Sequence, residues 1–281
     1  MSISASAVTV ELNISVWTAN KLDKTATNTI LVANHASVTD AAQVRKNLMS
    51  GTTLRKKIEE FAGDCRRWHA ARTLPWADRG GRLLPTSLFL DYKSELNARR
   101  TMFENMVEEF LTEYPKLVAI AQQSMGTLFD PNDYPTAEEV RDKFGFRMVF
   151  SPIPESGDFR LDIPQQDMEE MRQDYDAAFD ERMAKAMRMP WDKLHTMLTT
   201  MTDKLGLVED TRWYDTFITN AQEMCDMLRH LNVTNDPQLE LARQQLAGAI
   251  KGQTIEGMRC DPYERARLKD KLDAVLKGFE W

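Results

Sequence analysis

The chain has 281 residues, of which 36 are basic and 43 are acidic, and its formal net charge is −7. Hydrophobic residues make up 42% of the chain and aromatic residues 9%, which is typical of folded proteins and excludes a disordered one. No run of about 18 apolar residues is present, which excludes a transmembrane helix. Residues 1–17 lack the basic start and continuous apolar core of a secretory signal, so we expect a cytoplasmic protein.

The charge is distributed unevenly along the chain. Residues 41–100 contain 13 Lys and Arg against 6 Asp and Glu, so this segment has a net charge of +7. Residues 1–40 have a net charge of −1, and residues 101–281 have a net charge of −13. Such asymmetry indicates either an anionic partner or two parts of one chain that attract each other.

The first third begins with a predicted strand and continues with helices. Apolar and polar residues alternate over residues 8–16, which is the pattern of a strand with one buried face. Residues 41–49 are predicted to form a short helix that ends at Ser50 and Gly51. Apolar residues then recur every three or four positions over residues 54–72, which predicts an amphipathic helix. The Ser-, Thr- and Asn-rich residues between the strand and the first helix show no clear pattern.

The middle of the chain contains a turn and two predicted helices. The pair Gly80-Gly81 is typical of a turn. Residues 87–114 form the longest predicted helix. Pro115 is expected to open a second helix over residues 117–128, because proline fits the first helical turn.

A capped helix and a hairpin are predicted next. Thr136 and Glu139 have the spacing of a capping box, which predicts the start of a short helix. Residues 146–150 and 159–163 are rich in apolar and aromatic side chains and flank a Pro- and Gly-containing segment, which predicts a β-hairpin. The strand at residues 8–16 is expected to pair with this hairpin or with another copy of the chain.

The rest of the chain is predicted to be helical. One helix is expected to end near Pro190, and the next is expected over residues 191–205. A further helix contains Phe217. Residues 235–237, Asn-Asp-Pro, are predicted to start a helix that runs through Leu246. Asp261 as N-cap, Pro262 at the first helical position and Glu264 at the third predict the start of the last helix.

These elements predict a mainly α fold. We expect long amphipathic helices in a bundle or an elongated coiled-coil-like arrangement, with the N-terminal strand and one β-hairpin as a minor β component. The expected organisation is an N-terminal strand with a basic helical region over residues 1–144, the hairpin over 145–164, and an acidic, Met-rich helical region over 165–281. A single domain is the alternative.

No short catalytic or cofactor motif is present. The chain contains no GxxxxGK[ST] or GxGxxG loop for phosphate, no HExxH or CxxC metal motif, and no GxSxG nucleophile motif. We therefore expect no enzyme activity, no catalytic residue, no cofactor and no metal. Cys65, Cys225 and Cys260 are predicted to be small buried residues in a reducing compartment.

The basic segment is the first candidate site. Its cations are interleaved with Trp68, His69 and Trp76, and phosphate neutralisation beside stacked aromatics is how single-stranded nucleic acid is bound. The alternatives are a solvated helix face and a contact with an acidic protein. The candidate contact residues are Arg45, Lys46, Arg55, Lys56, Lys57, Arg66, Arg67, Arg72, Arg79 and Arg82.

A methionine stripe is the second candidate site. Methionine adapts its shape and recurs at binding surfaces that accept several partners. The helical spacing also suits ordinary core packing. The residues proposed to line a groove for a partner helix are Met168, Met171, Met183 and Met187.

Several distinctive strings occur in a fixed order over roughly residues 14–246, and they are ISVWT at 14–18, TLPW at 73–76, GRLLP at 81–85, FLTEYP at 110–115, DYP at 133–135 and FSPIP at 150–154. Together these strings resemble an uncharacterised protein family of tailed bacteriophages and integrative mobile elements. Members of this family are encoded near a MoxR-type AAA+ ATPase or a cobaltochelatase-like subunit, and near recombination genes. The strings have no known catalytic role, so the resemblance assigns no site residue.

Sequence and resemblance together indicate an accessory protein in the cytoplasm of a bacterial host cell. The first expectation is a non-catalytic helical interaction protein that acts as an adaptor or assembly subunit for a partner protein, such as the AAA+ ATPase, or for itself. The second is a nucleic-acid-binding accessory of recombination or replication that uses residues 41–100. No membrane partner is expected.

Overall fold

The computed structural model describes residues 3–77, 80–154, 165–206 and 216–281. Helices dominate and a small antiparallel sheet accompanies them, which confirms the predicted mainly α fold with a minor β component. The helices are α1 (Ile3–Ser6), α2 (Lys24–Ala33), α3 (Leu54–Arg72), α4 (Phe89–Ser124), α5 (Ala137–Arg141), α6 (Gln165–Gly206), α7 (Thr216–Leu231), α8 (Pro237–Ile250), α9 (Ile255–Cys260) and α10 (Pro262–Gly278). The strands are β1 (Ala7–Ser15), β2 (Asn20–Leu22), β3 (Arg45–Asn47), β4 (Leu74–Pro75), β5 (Gly81–Pro85) and β6 (Gly145–Ser151). Short 3₁₀ turns occupy Thr86–Leu88, Gly126–Leu128 and Pro131–Asp133.

The chain forms two compact units that are interleaved along the sequence. Unit 1 contains the described residues of Met1–Glu11, Ala70–Tyr92 and Val149–Trp281. Unit 2 contains the described residues of Leu12–His69 and Lys93–Met148. The units are interleaved because strand pairing joins segments that are far apart in sequence. The expected segments, with boundaries at residues 144 and 164, stay a prediction.

Strand β1 has a neighbour on each side in the larger sheet, whose strand order is β4-β5-β1-β6. It pairs antiparallel with β5 in a register that places Ala7 opposite Pro85. Of the two partners expected for this strand, the first arm of the hairpin, β6, is the one that lies beside it. The second predicted arm, residues 159–163, lies outside the described residues. Gly80, with a φ of +91°, lies between β4 and β5, which confirms the predicted turn.

A two-stranded sheet stands where the sequence predicted a short helix. β2 and β3 pair antiparallel, so the helix predicted over residues 41–49 is wrong. The Leu48 N–H donates to the Ala19 carbonyl at 2.8 Å, and the Asp23 N–H donates to the Val44 carbonyl at 2.9 Å. Hydrogen bonds to a distant segment therefore satisfy the backbone groups that a helix would have satisfied locally.

The core of unit 2 contains a cluster of aromatic rings. The Trp17 ring meets the edges of Phe110 and Tyr114, with centroid distances of 6.3 and 5.9 Å. The Tyr114 hydroxyl donates to the Pro135 carbonyl at 2.9 Å, and burial raises the pKa of Tyr114 to about 12. The buried members of this cluster are Trp17, Ala19, Leu48, Met49, Ile58, Ala62, Phe103, Val107, Phe110, Leu111, Tyr114 and Val140.

Helix α4 continues through Pro115, so the prediction of two separate helices is wrong. A proline inside a helix removes one hydrogen bond and crowds the preceding turn, at a cost of about 3 kcal/mol. Phe110, Leu111 and Tyr114 are buried before the proline, and Ala121 is buried after it. Burying a large apolar side chain contributes about 1.5–3 kcal/mol, so burial along one continuous face outweighs the cost of the proline.

Helix α6 likewise continues through Pro190, where the sequence predicted a break. Pro190 is itself buried, and Ala186 and Leu194 on either side of it are fully buried. The second half of α6 packs with α7, α8 and α10 in unit 1. The main buried cluster of this unit is Leu194, Leu198, Met201, Leu205, Phe217, Ile218, Ala221, Cys225, Leu228, Leu239, Ala242, Leu246, Ala249, Ile250, Met258, Leu268, Leu272 and Val275.

The predicted helix starts are confirmed by their caps. Thr136 and Glu139 form a complete capping box at the start of α5. The Asp236 carboxylate accepts from the N–H groups of Gln238 and Leu239 at the start of α8. The Asp261 carboxylate accepts from one N–H group, that of Tyr263, at the start of α10.

The Asp236 carboxylate also accepts a hydrogen bond from the indole N–H of Trp191 at 3.1 Å, a contact that Asp261 lacks. We expect Asp236→Ala to lower the free energy of unfolding by about 2 kcal/mol, since it removes a cap and leaves the half-buried indole without its acceptor. Asp261→Ala, the matched control, should cost about 1 kcal/mol. Urea unfolding measures both, and equal losses would contradict the role of the Trp191 contact.

A carboxylate–guanidinium pair lies one turn inside α8. Arg243 donates to both carboxylate oxygens of Glu240, at 2.6 and 2.7 Å, and the Arg243 side chain is only 8% exposed. These hydrogen bonds lower the pKa of Glu240 from 4.5 to about 2. Between these two pH values the unfolded chain binds a proton that the folded chain does not, so stability is lost as the pH falls.

We expect Glu240→Gln to flatten the pH dependence of the unfolding free energy between pH 4.5 and about 2, because glutamine takes up no proton on unfolding. The measurement is urea unfolding at a series of acidic pH values. Glu223→Gln, which removes an exposed carboxylate from α7, is the control. An unchanged slope in Glu240→Gln would show that the pair does not link proton binding to folding.

Candidate interaction sites

Four of the predicted basic contacts lie exposed on helix α3 of unit 2. Lys56 pairs with Glu60 at 3.7 Å, and Arg67 pairs with Asp64 on the same helix. Positions 56, 60, 64 and 67 follow helical spacing, so they share one face that carries two cations and two carboxylates. The exposed basic residues of this helix are Lys56, Lys57, Arg66 and Arg67.

Other predicted contacts in unit 2 bind groups of their own unit. The Arg55 guanidinium donates to the Trp17 carbonyl at 3.2 Å, and that of Arg66 donates to the Ile14 carbonyl at 2.7 Å. Trp68, the aromatic residue among these cations, has the Arg99 guanidinium 4.9 Å above its ring. Its ring is therefore partly covered within the unit, and nucleic-acid contact by this region stays a prediction.

Lys46 is held in a mostly enclosed ion pair. Its ammonium group pairs with Asp133 and donates to the Leu128 carbonyl at 3.0 Å, and the two side chains of the pair are 12% and 10% exposed. The hydrogen bond with Asp133 raises the pKa of Lys46. This contact ties β3 to the turn Pro131–Asp133, while the neighbouring Arg45 side chain is exposed.

Arg72 and Arg82 belong to unit 1, and Arg79 lies outside the described residues. The Arg82 guanidinium donates to the Thr73 hydroxyl at 2.7 Å and to the carbonyls of Thr73 and Ala70 at 2.8 and 3.3 Å. These carbonyls lie at or just beyond the end of α3, where a helix presents unpaired acceptors and the negative end of its dipole. Arg82 therefore caps the end of α3, and burial lowers its pKa.

The four methionines predicted to line a groove lie in two different environments along α6. Met183 and Met187 pack against a buried cluster that includes Ala7, Leu74 and Leu83, so these two side chains serve core packing in unit 1. Met168 and Met171 are half-buried in the first turns of α6, where residues 165–185 include no fully buried side chain. The groove for a partner helix stays a prediction for these first turns.

Helix α2 carries an apolar surface that the sequence reading did not assign to any element. The helix contains no buried residue. The exposed apolar side chains are Ile30 (42%) and Val32 (66%) in the helix and Val38 (55%) after it. Residues 25–39 contain no Asp, Glu, Lys or Arg, and this run of 15 residues is the sequence signal that could have found the surface. The Asp23 carboxylate caps the helix by accepting from the Ala26 N–H at 2.9 Å.

A cavity of about 490 Å³ opens between α6 and α7 in unit 1. Its wall is mostly apolar, with methionines from both helices. The lining residues are Met189, Asp192, Lys193, Thr196, Met197, Thr200, Met201, Lys204, Thr216, Phe217, Asn220 and Met224. Three of the seven methionines within residues 168–201, Met189, Met197 and Met201, line this cavity, whereas the groove for a partner helix was predicted at other members of that stripe.

Three further features of the described residues concern metal ligands, long apolar helices and the burial of the cysteines. Over residues 3–77, 80–154, 165–206 and 216–281, no group of three or more His, Cys, Asp or Glu side chains is arranged to hold a metal ion. Within the same ranges, no helix has the length and apolarity needed to cross a bilayer. The prediction of buried cysteines is confirmed for Cys65 and Cys225 and wrong for Cys260, which is exposed.

No protein-family model, curated protein or solved structure matches the chain.

The enclosed Lys46 pair gives a direct stability test in unit 2. We expect Lys46→Ala to lower the free energy of unfolding by about 2 kcal/mol, because it leaves the enclosed Asp133 carboxylate with only the more exposed Lys21 ammonium group, 3.9 Å away. Lys57→Ala removes the same charge from an exposed position and should change stability by less than about 0.5 kcal/mol. Urea unfolding compares them, and equal effects would show that the pair contributes nothing to folding.

Proposed function

We propose that this protein is a non-catalytic helical accessory protein, an assembly subunit that associates with a second copy of itself through α2. The observation that carries the proposal is a ten-residue helix without a single buried residue, beside exposed apolar side chains. Isolated helices shorter than about 12–15 residues are marginal in water, and most helices are stabilised by a packed face. A partner that covers α2 supplies that packing.

The charge of the α2 surface supports a second copy as the partner. The whole chain has a net charge of −7, so two copies repel each other across most surfaces. Residues 25–39 carry no charged side chain, so this surface can face its own copy without like-charge contacts. In a two-fold symmetric dimer the same patch meets itself, which a neutral apolar patch allows.

The wider setting belongs to the same proposal. The resemblance to the phage and mobile-element family supports an accessory role beside a MoxR-type AAA+ ATPase in a bacterial cytoplasm. The nucleic-acid alternative is less favoured, because Glu60 and Asp64 lie on the same face of α3 as Lys56 and Arg67.

The test is the association state of the full chain in solution. Sedimentation velocity across a concentration series should show a dimer that Val32→Glu dissociates, because the variant places like charges against each other in the α2 contact. Leu241→Glu, at a 44% exposed apolar residue of α8, is the matched control and should leave the dimer intact.

Hydrogen exchange locates the contact. Amide exchange over Lys24–Ala33 should slow as concentration rises in the wild-type chain, and this concentration dependence should be absent in Val32→Glu. Circular dichroism establishes that the variant remains folded. A wild-type chain that stays monomeric across the series, or a dimer that survives Val32→Glu with unchanged affinity, would overturn the proposal.

A further inference from the structure

The cavity between α6 and α7 combines an apolar wall with a cation. The wall includes Met197 and Met201 from α6 and Phe217 and Met224 from α7. A volume of about 490 Å³ lies within the range of roughly 300–1,000 Å³ that is usual for small-molecule sites. Methionine side chains are flexible and polarisable, so such a wall adapts to apolar bodies of different shape.

Lys193 is the half-buried cation of this cavity. Its ammonium group donates to the Ala71 carbonyl at 3.0 Å. Burial lowers the pKa of Lys193, and the nearby cations Arg82 and Arg72 lower it further. Among the residues that the structure describes, no carboxylate forms an ion pair with Lys193, and the neighbouring Asp192 pairs with Arg188 instead.

This arrangement favours an anion at the Lys193 end of the cavity. A buried charge is costly without a compensating partner, and here Arg82 and Arg72 add to that cost while the Asp192 carboxylate pairs with Arg188. Lys204, whose ammonium group lies 5.7 Å from the centroid of the Phe217 ring, also lines the cavity wall. An anionic head attached to an apolar body therefore matches both the charge and the lining.

We propose that this cavity binds a small amphiphilic carboxylate, with its hydrocarbon body against the methionines and its carboxylate at the Lys193 ammonium group. The proposal does not depend on the α2 association, because the cavity lies wholly in unit 1 and α2 lies in unit 2. The two proposals can therefore fail separately.

Calorimetric titration of the full chain with octanoate and with 1-octanol tests the head and the body separately. The two probes share a hydrocarbon chain and differ in charge, so we expect octanoate to bind one site at least about tenfold more tightly than octanol. Lys193→Gln should weaken octanoate binding about tenfold and leave octanol binding unchanged. Lys193→Arg keeps the charge and should retain the preference for octanoate.

Lys185→Gln is the matched control, because it removes an exposed lysine of the same helix that does not line the cavity. Methyl NMR of methionine-labelled protein locates the site: octanoate should shift the signals of Met197 and Met224 and leave those of Met168 and Met171 in place. The wild-type comparison remains decisive even if Lys193→Gln fails to fold. Absence of saturable octanoate binding, equal affinity for octanol, or shifts confined to other methionines would overturn the proposal.

Discussion

Burial of apolar side chains on both sides of an interior proline keeps each long helix of this chain continuous. α4 runs through Pro115 and α6 runs through Pro190, although an interior proline costs about 3 kcal/mol. In each case buried side chains lie on both sides of the proline, so a break there would expose part of the face. α2 is the opposite case: an N-cap starts it and no side chain in it is buried, which is why its surface carries the proposed association.

Several cations of residues 41–100 contact groups within their own unit, while others stay exposed on α3. Lys46 meets Asp133, Arg66 meets a carbonyl of β1, and Arg82 meets the carbonyls at the end of α3. Cations are favoured at such places because a helix C-terminus carries partial negative charge and enclosed carboxylates need a partner. A segment with net charge +7 in the sequence is therefore not a surface with charge +7.

The two proposed contacts differ in the interaction that would stabilise them. Residues 25–39 carry no charged side chain and expose Ile30, Val32 and Val38, so their contact would gain free energy from burial without a requirement for opposite charge. The cavity in unit 1 has an apolar wall with lysines at its edge, so its ligand is selected by charge as well as by apolar contact. An assembly subunit that also binds a small amphiphile would combine one macromolecular and one small-molecule function on separate units.

Local patterns in the sequence determined much of the secondary structure. The strand alternation of β1, the seam of α3, the capping box at Thr136 and the Asp-Pro starts of α8 and α10 are encoded by neighbouring residues. Only the tertiary structure decided that the helices continue through two prolines, that residues 41–49 contain a strand, and that Lys193 faces an apolar cavity. These outcomes depend on burial and on hydrogen bonds between distant segments, whose free energies exceed local preferences and leave no signature in short stretches of sequence.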